Sequence, residues 1–191
     1  YEKIPAEKVS ESKPLQKEDP LFERTSDLRE ALVKAGLTEV QTYSFYSTQI
    51  IETLGIKKES MVKISNPISS ETEYLRQNLW PNLVEVVGRN IRKGFKDIAI
   101  FEIGKAFNVG PDGNPVEDYR LSIALMNGTD NPLAELYQIS QNLSLHLRGV
   151  KLNKTLFHPK RQLENLAEVH LRVLNKLGIE KRVAVLEIGI S

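Results

Sequence analysis

Cysteine is absent from all 191 residues. That removes thiol catalysis, disulfides and every cysteine-based zinc or iron–sulfur site, and it is compatible with a reducing cytoplasm. The only histidines, His146, His158 and His170, are too widely spaced to form an HxxxH or HExxH pair, which argues against a histidine-based metal site. Neither GxxxxGK[ST] nor GxGxxG occurs, so there is no glycine-rich phosphate cradle. No GxSxG elbow presents a serine nucleophile. No window approaches the roughly 18 apolar residues of a membrane-crossing helix, and Tyr1-Glu2-Lys3-Ile4-Pro5 lacks a signal-peptide core. A start on Tyr1 without Met reads as a segment of a longer chain. An excess of charge of one sign is also missing: 26 Lys+Arg against 25 Asp+Glu leaves +1. With no global field to steer the chain onto nucleic acid or anionic lipid, any RNA contact must be a local patch.

What is present is ordinary soluble-domain usage, with 40% hydrophobic and 27% charged residues. A chain of this size buries roughly 70% of its unfolded surface, enough for one core without staples. Residues 1–20 are rich in charge and carry Pro5, Pro14 and Pro20, which reads as a linker; residues 21–191 are expected to form the domain. A helix capped by Thr25 or Ser26 buries Leu28 and Leu32 and ends at Gly36. A strand over Glu39–Phe45, a helix over Ser47–Leu54 and a short strand at Val62–Ile64 follow. Asn78–Lys93 reads as a helix with Pro81 in its first turn. Asp97–Val109 is a nearly continuous apolar strand, paired through the turn at Gly110–Pro115 with Tyr119–Met126. Helices are predicted over Pro132–Leu147 and Gln162–Leu177, a strand near Lys151–Phe157, and a last strand over Arg182–Ile188. Hairpins and helices without regular βαβ alternation predict an α+β fold with a largely antiparallel sheet.

Two features stand out chemically. Arg89, Arg92, Lys93 and Lys96 crowd the end of one predicted helix. They read either as complements of the helix dipole on a solvated face, or as a contact for a nucleic-acid phosphate backbone with Phe95 able to stack on a base. Glu102 interrupts an apolar strand, so it needs a partner, for which Arg76 is placed to serve, or it faces a solvent-lined sheet edge.

The order of segments resembles the catalytic-like module of phenylalanyl-tRNA synthetase β subunits. The residues that carry this are Tyr1-Glu2-Lys3-Ile4-Pro5, Leu32 through Phe45, Asn66-Pro67-Ile68-Ser69-Ser70-Glu71, Leu75-Arg76, Leu79-Trp80-Pro81-Asn82-Leu83, Asn90, Arg92, Asp97 through Phe107, Phe157-His158-Pro159 and Arg182 through Ile188. Together they cover nearly the whole chain. Three departures accompany the match: Lys160 where the family has glycine, about a dozen residues missing between Arg161 and Glu168, and Leu171 in place of proline.

The resemblance implies a class II synthetase-like antiparallel sheet flanked by helices. It also implies a module that supports the α subunit in ATP-dependent attachment of phenylalanine to tRNA without performing the chemistry, since Asn90–Lys96 lacks an Arg-x-Glu pair and no glycine-rich segment with arginine precedes Val183. On this likeness the chain has no catalytic, cofactor or metal residues of its own, and ATP and magnesium belong to the whole cytoplasmic enzyme. Leu28, Leu32, Tyr43 and Phe45 would be core or subunit-interface anchors. The alternatives are a free-standing RNA-binding module using the four cations, and an independent small-molecule enzyme, for which no convergent titratable groups are evident.

Overall fold

In the computed structural model the described residues are 20–128, 131–144 and 166–190. Ten elements are named in chain order: α1 (Pro20–Lys34), β1 (Thr38–Glu39), α2 (Thr48–Leu54), α3 (Trp80–Arg92), β2 (Ile98–Val109), β3 (Pro115–Met126), α4 (Pro132–Ser144), β4 (Leu166–Glu168), α5 (Leu171–Lys176) and β5 (Ala184–Gly189). They build a five-stranded sheet in the order β1-β2-β3-β5-β4. Every pairing is antiparallel except the edge, where β1 runs parallel to β2.

Strand alternation divides the core between the two faces. Phe101, Leu121, Ile123, Leu186 and Ile188 point to one side, under Leu28 and Leu32 of α1 and Leu136 of α4. Ile98, Ile100, Ala124 and Val185 point to the other, under Leu83, Val84 and Val87 of α3 and Leu174 of α5. A smaller cluster around Tyr46, Ile50, Ile51 and Met61 anchors α2.

Several sequence expectations are corrected. Helix α1 begins at Pro20, before either expected cap, and Thr25 lies inside it with its Oγ1 donating to the Phe22 carbonyl at 3.0 Å. Pro20 suits a helix start, where a missing N–H leaves no bond unmade. The strand expected over Glu39–Phe45 is in the sheet only at Thr38–Glu39. Val40 still donates to the Phe101 carbonyl at 2.8 Å, after which side chains take over the edge of β2 and the segment leaves it. The strand at Val62–Ile64 reduces to a bridge between Lys63 and Tyr74.

The helix expected over Gln162–Leu177 is also wrong in its described part. Leu166–Glu168 pairs with β5, and only Leu171–Lys176 is helical. Its apolar spacing spans two elements separated by His170, whose Nδ1 caps α5 by accepting from Arg172 N at 3.1 Å. Residues 145–165, which include the expected strand near Lys151–Phe157 together with His146 and His158, lie outside the described residues, as does the expected linker up to residue 19.

Candidate functional site

Helix α3 covers only part of its sheet face. Beyond its start, register brings polar positions side by side: Glu102 on β2 faces Ser122 on β3, which faces Glu187 on β5. The next row is Gly104, Arg120 and Gly189. Over these rows run two segments of the chain's own backbone, residues 41–47 and 74–79.

Arg76 comes down from the second of these segments. Its Nη1 lies 2.8 Å from Glu102 Oε1, with both side chains only 2% exposed. Nε donates to the Lys105 carbonyl at 2.9 Å, and Nη1 also donates to Thr42 Oγ1 at 2.8 Å. Thr42 answers by donating its hydroxyl to Glu102 Oε2 at 2.7 Å and its backbone N–H to Oε1 at 3.3 Å. The Arg76 backbone joins in as well, its carbonyl accepting from Phe107 N at 2.8 Å. Glu102 therefore faces a buried partner and not a solvent edge. A buried ion pair of this kind needs further hydrogen bonds, and here Thr42 and the Lys105 carbonyl supply them. Gly104 makes room for it: a Cβ there would sit 2.6 Å from Arg76 Nη2.

A second pair lies on the same face. Arg120 Nη1 reaches Glu187 Oε1 at 3.0 Å and Asn78 Oδ1 at 2.7 Å, while its Nε meets Asp118 Oδ2 at 2.8 Å. Glu187 Oε2 accepts from both Leu79 N and Trp80 N at 2.9 Å. The N-cap residue Leu79 has no capping side chain, so this carboxylate satisfies two of the orphan donors of α3 and complements its dipole. Burial nevertheless pushes the Glu187 carboxyl above the usual carboxylate range, outweighing the Trp80 N–H and the Arg120 guanidinium that act the other way. Tyr46 completes the layer: its hydroxyl donates to the Asn78 carbonyl at 3.0 Å and accepts from Asn78 N at 2.8 Å. Burial pushes its phenol well up.

Sequence reading passed over Glu187 and Arg120. The signal was available for Glu187, which interrupts an apolar run as Glu102 does. Arg120 carried no such mark, because its partners meet it only through strand register.

This face is closed by its own ion pairs: both arginines are engaged by carboxylates, and both carboxylates accept bonds from arginine and backbone. Among the described residues no three His, Asp or Glu side chains converge as a metal site. A shallow, mostly apolar hollow beside it is lined by Ile50, Leu54, Trp80, Pro81, Val173 and Leu177, with Thr53 as its one hydroxyl.

The other sequence-selected residues lie elsewhere. Leu28 and Leu32 are 1% and 0% exposed inside the chain's own core, so of the two roles expected for them they take the core. Tyr43 is 85% exposed, and Phe45 is half-buried with a bridge to Leu75. Arg89, Arg92, Lys93 and Lys96 are all exposed, at the C-terminal end of α3 and just beyond it, whereas Glu187 sits at its start. No helix among the described residues is long and apolar enough to cross a membrane.

Known proteins agree with this architecture. The chain superimposes on a pyrrolysyl tRNA synthetase from Desulfitobacterium hafniense with a TM-score of 0.70 at 18% identity, over 89% of this chain and 64% of that one. That likeness gives the fold, an α+β class II synthetase-like sheet flanked by helices. In sequence it is 33% identical over 133 residues to a phenylalanine–tRNA ligase beta subunit from Moorella thermoacetica, covering 68% of this chain and 17% of the relative. It is 28% identical over 194 residues to the corresponding subunit of Syntrophus aciditrophicus, covering 86% and 24%. A third, from Rickettsia felis, is 25% identical over 218 residues, covering 100% and 26%. The chain thus spans about a quarter or less of the length of these curated relatives. The model of the phenylalanyl tRNA synthetase beta chain CLM domain matches residues 4–190, and to that family this chain belongs.

Proposed function

We propose that this chain is a non-catalytic, catalytic-like domain of a phenylalanine–tRNA ligase beta subunit, residues 21–191 following a linker. It supports an α subunit in the ATP-dependent attachment of phenylalanine to tRNA by holding the cytoplasmic assembly together. The observation that carries this reading is the closed sheet face. Activation of an amino acid builds negative charge on a phosphate and needs arginines free to receive it. Arg76 and Arg120 are instead spent on Glu102 and Glu187. ATP and magnesium are accordingly assigned to the whole enzyme and not to this chain. Tyr43, with its ring almost fully in solvent beside the half-buried Phe45, is the assembly contact that this reading selects.

The same reading gives Arg89, Arg92, Lys93 and Lys96 a contact with tRNA phosphates. What supports it is that all four are exposed and none is ion-paired with a described residue. A free-standing RNA-binding module would use the same corner, but it gives no account of the family's length beyond this segment.

The test is pyrophosphate exchange with ATP and phenylalanine. The chain alone is expected to give none, activity is expected only when an α subunit is added, and Tyr43→Asp is expected to weaken co-elution of the two. Robust exchange by the chain alone overturns the non-catalytic reading; undiminished co-elution of the Tyr43→Asp variant removes Tyr43 from the interface.

A further inference from the structure

Four helices end in the same way. After α1, α2, α3 and α5 a glycine takes a positive φ (Gly36 +87°, Gly55 +64°, Gly94 +92°, Gly178 +70°), and the next residue donates its N–H to a carbonyl five positions back. The bonds are Leu37 to Leu32, Ile56 to Ile51, Phe95 to Asn90 and Ile179 to Leu174, at 2.9 to 3.2 Å. This ending is ordinarily accompanied by an apolar contact between the two residues that the bond joins.

Three of the four have it. Leu32 and Leu37 share one core, Leu174 and Ile179 the other, and Ile56 packs on the cluster that contains Ile51. The end of α3 does not. Position 90 is Asn, whose side chain turns back to donate to the Val86 carbonyl at 2.9 Å. Phe95 therefore lacks the residue that would cover it, and it is 57% exposed.

The turn that fixes the Phe95 backbone is also flanked in the chain by positive charge. Arg89, Arg92, Lys93 and Lys96 lie within one helical turn and the loop, all exposed. Ile179 lies 3.2 Å from where a Gly88 Cβ would stand, which brings exposed Lys181 to the same end of the sheet. The acidic groups nearby are fewer: Asp97 accepts from Gly128 N at 2.9 Å, Glu168 is paired with Arg182, and Glu180 is exposed. A flat aromatic face held on a rigid turn among cations is the combination that receives an unpaired base together with its phosphates. A duplex would use the cations and leave the ring idle, since its bases are already stacked.

We infer that this corner takes a single-stranded stretch of RNA, one base stacking on Phe95 and the flanking phosphates meeting Arg92, Lys93 and Lys96. The inference rests on the RNA-contact part of the proposed function and adds the kind of RNA and the residue that reads it.

The experiment uses the full chain assembled with its ligase partner. Binding of an oligoadenylate 12-mer and of a blunt-ended RNA duplex is followed by fluorescence anisotropy. Phe95→Ala is expected to weaken the single strand roughly tenfold and leave the duplex unchanged. Phe95→Trp is expected to restore binding and to show fluorescence quenching when the oligomer is added. The variant combining R92E, K93E and K96E is expected to weaken both RNAs and to flatten the salt dependence. Loss on charge reversal with no effect of Phe95→Ala keeps the phosphate contact and overturns the stacking. No effect of either variant overturns both. Reduced subunit assembly of Phe95→Ala at unchanged RNA affinity overturns the inference in favour of a protein contact.

Discussion

The two ends of helix α3 handle charge in opposite ways. At its start, Glu187 and Arg120 lie against Asn78 and the first backbone amides, and a few ångströms further along the sheet Arg76 and Glu102 are sealed from water. At its end, four cations stand in solvent with no described carboxylate paired to them. The same residue types therefore do different work according to what the strands bring beneath them. Charges that satisfy one another fix the chain's geometry and are lost to chemistry. Charges left in water contribute little to stability and remain available to a partner.

The sharpest way to break this contrast is to unpair the sealed end. Arg76→Met leaves Glu102 buried without its cation, and about 3–5 kcal/mol of stability should be lost in urea unfolding. Adding Glu102→Leu should recover a substantial part of that loss, because the cost lies in the orphaned charge more than in the missing pair. A single variant within about 0.5 kcal/mol of the parent would show that the pair is not the buried element described here.

A smaller effect should come from the start of α3. Because burial raises the Glu187 carboxyl in the folded chain, the folded state holds that proton to higher pH than the unfolded chain does. Its contribution to stability is therefore full below the ordinary value of 4.5 and declines as pH rises through the raised one. Glu187→Gln removes this titration. The parent should lose stability relative to the variant as pH rises above the ordinary value of 4.5, read as diverging urea midpoints. A difference that stays constant as pH rises would mean that Glu187 titrates normally.

The smallest effect is expected at the far end. Neutralising Arg89, Arg92 and Lys96 to Gln together should move the unfolding free energy by no more than about 0.5 kcal/mol per site, as for other exposed substitutions. A larger loss would mean that these cations serve the helix dipole and not a partner.

How much of this the sequence disclosed depended on whether the cause was local. The β2–β3 hairpin was legible because a continuous apolar run, a turn dense in Gly and Pro and a second apolar run leave few alternatives. Glu102 was legible as an anomaly for the same reason. Residues 166–177 misled, because apolar positions in a strand followed by a short helix can imitate one helical period, and the capping role of His170 is invisible until the break is known. The strand after Thr38 was overextended because alternation at Val40–Phe45 is real, while the groups that draw Thr42 away, Glu102 and Arg76, lie far along the chain. Leu28 and Leu32 show the same limit: apolar spacing identifies a buried face, but not whether the chain itself or another subunit covers it.

The capping of α3 by Glu187 spans 108 positions in the chain. A ribosome delivers α3, the hairpin and α4 well before it delivers β5. Until that last strand emerges and slots between β3 and β4, the first amides of α3 have only water to bond, and Arg120 lacks the carboxylate that orients it. The closed face can thus be completed only once residue 187 has been made, so a nascent chain interrupted before it would carry its helices and hairpin without the clasp that joins them.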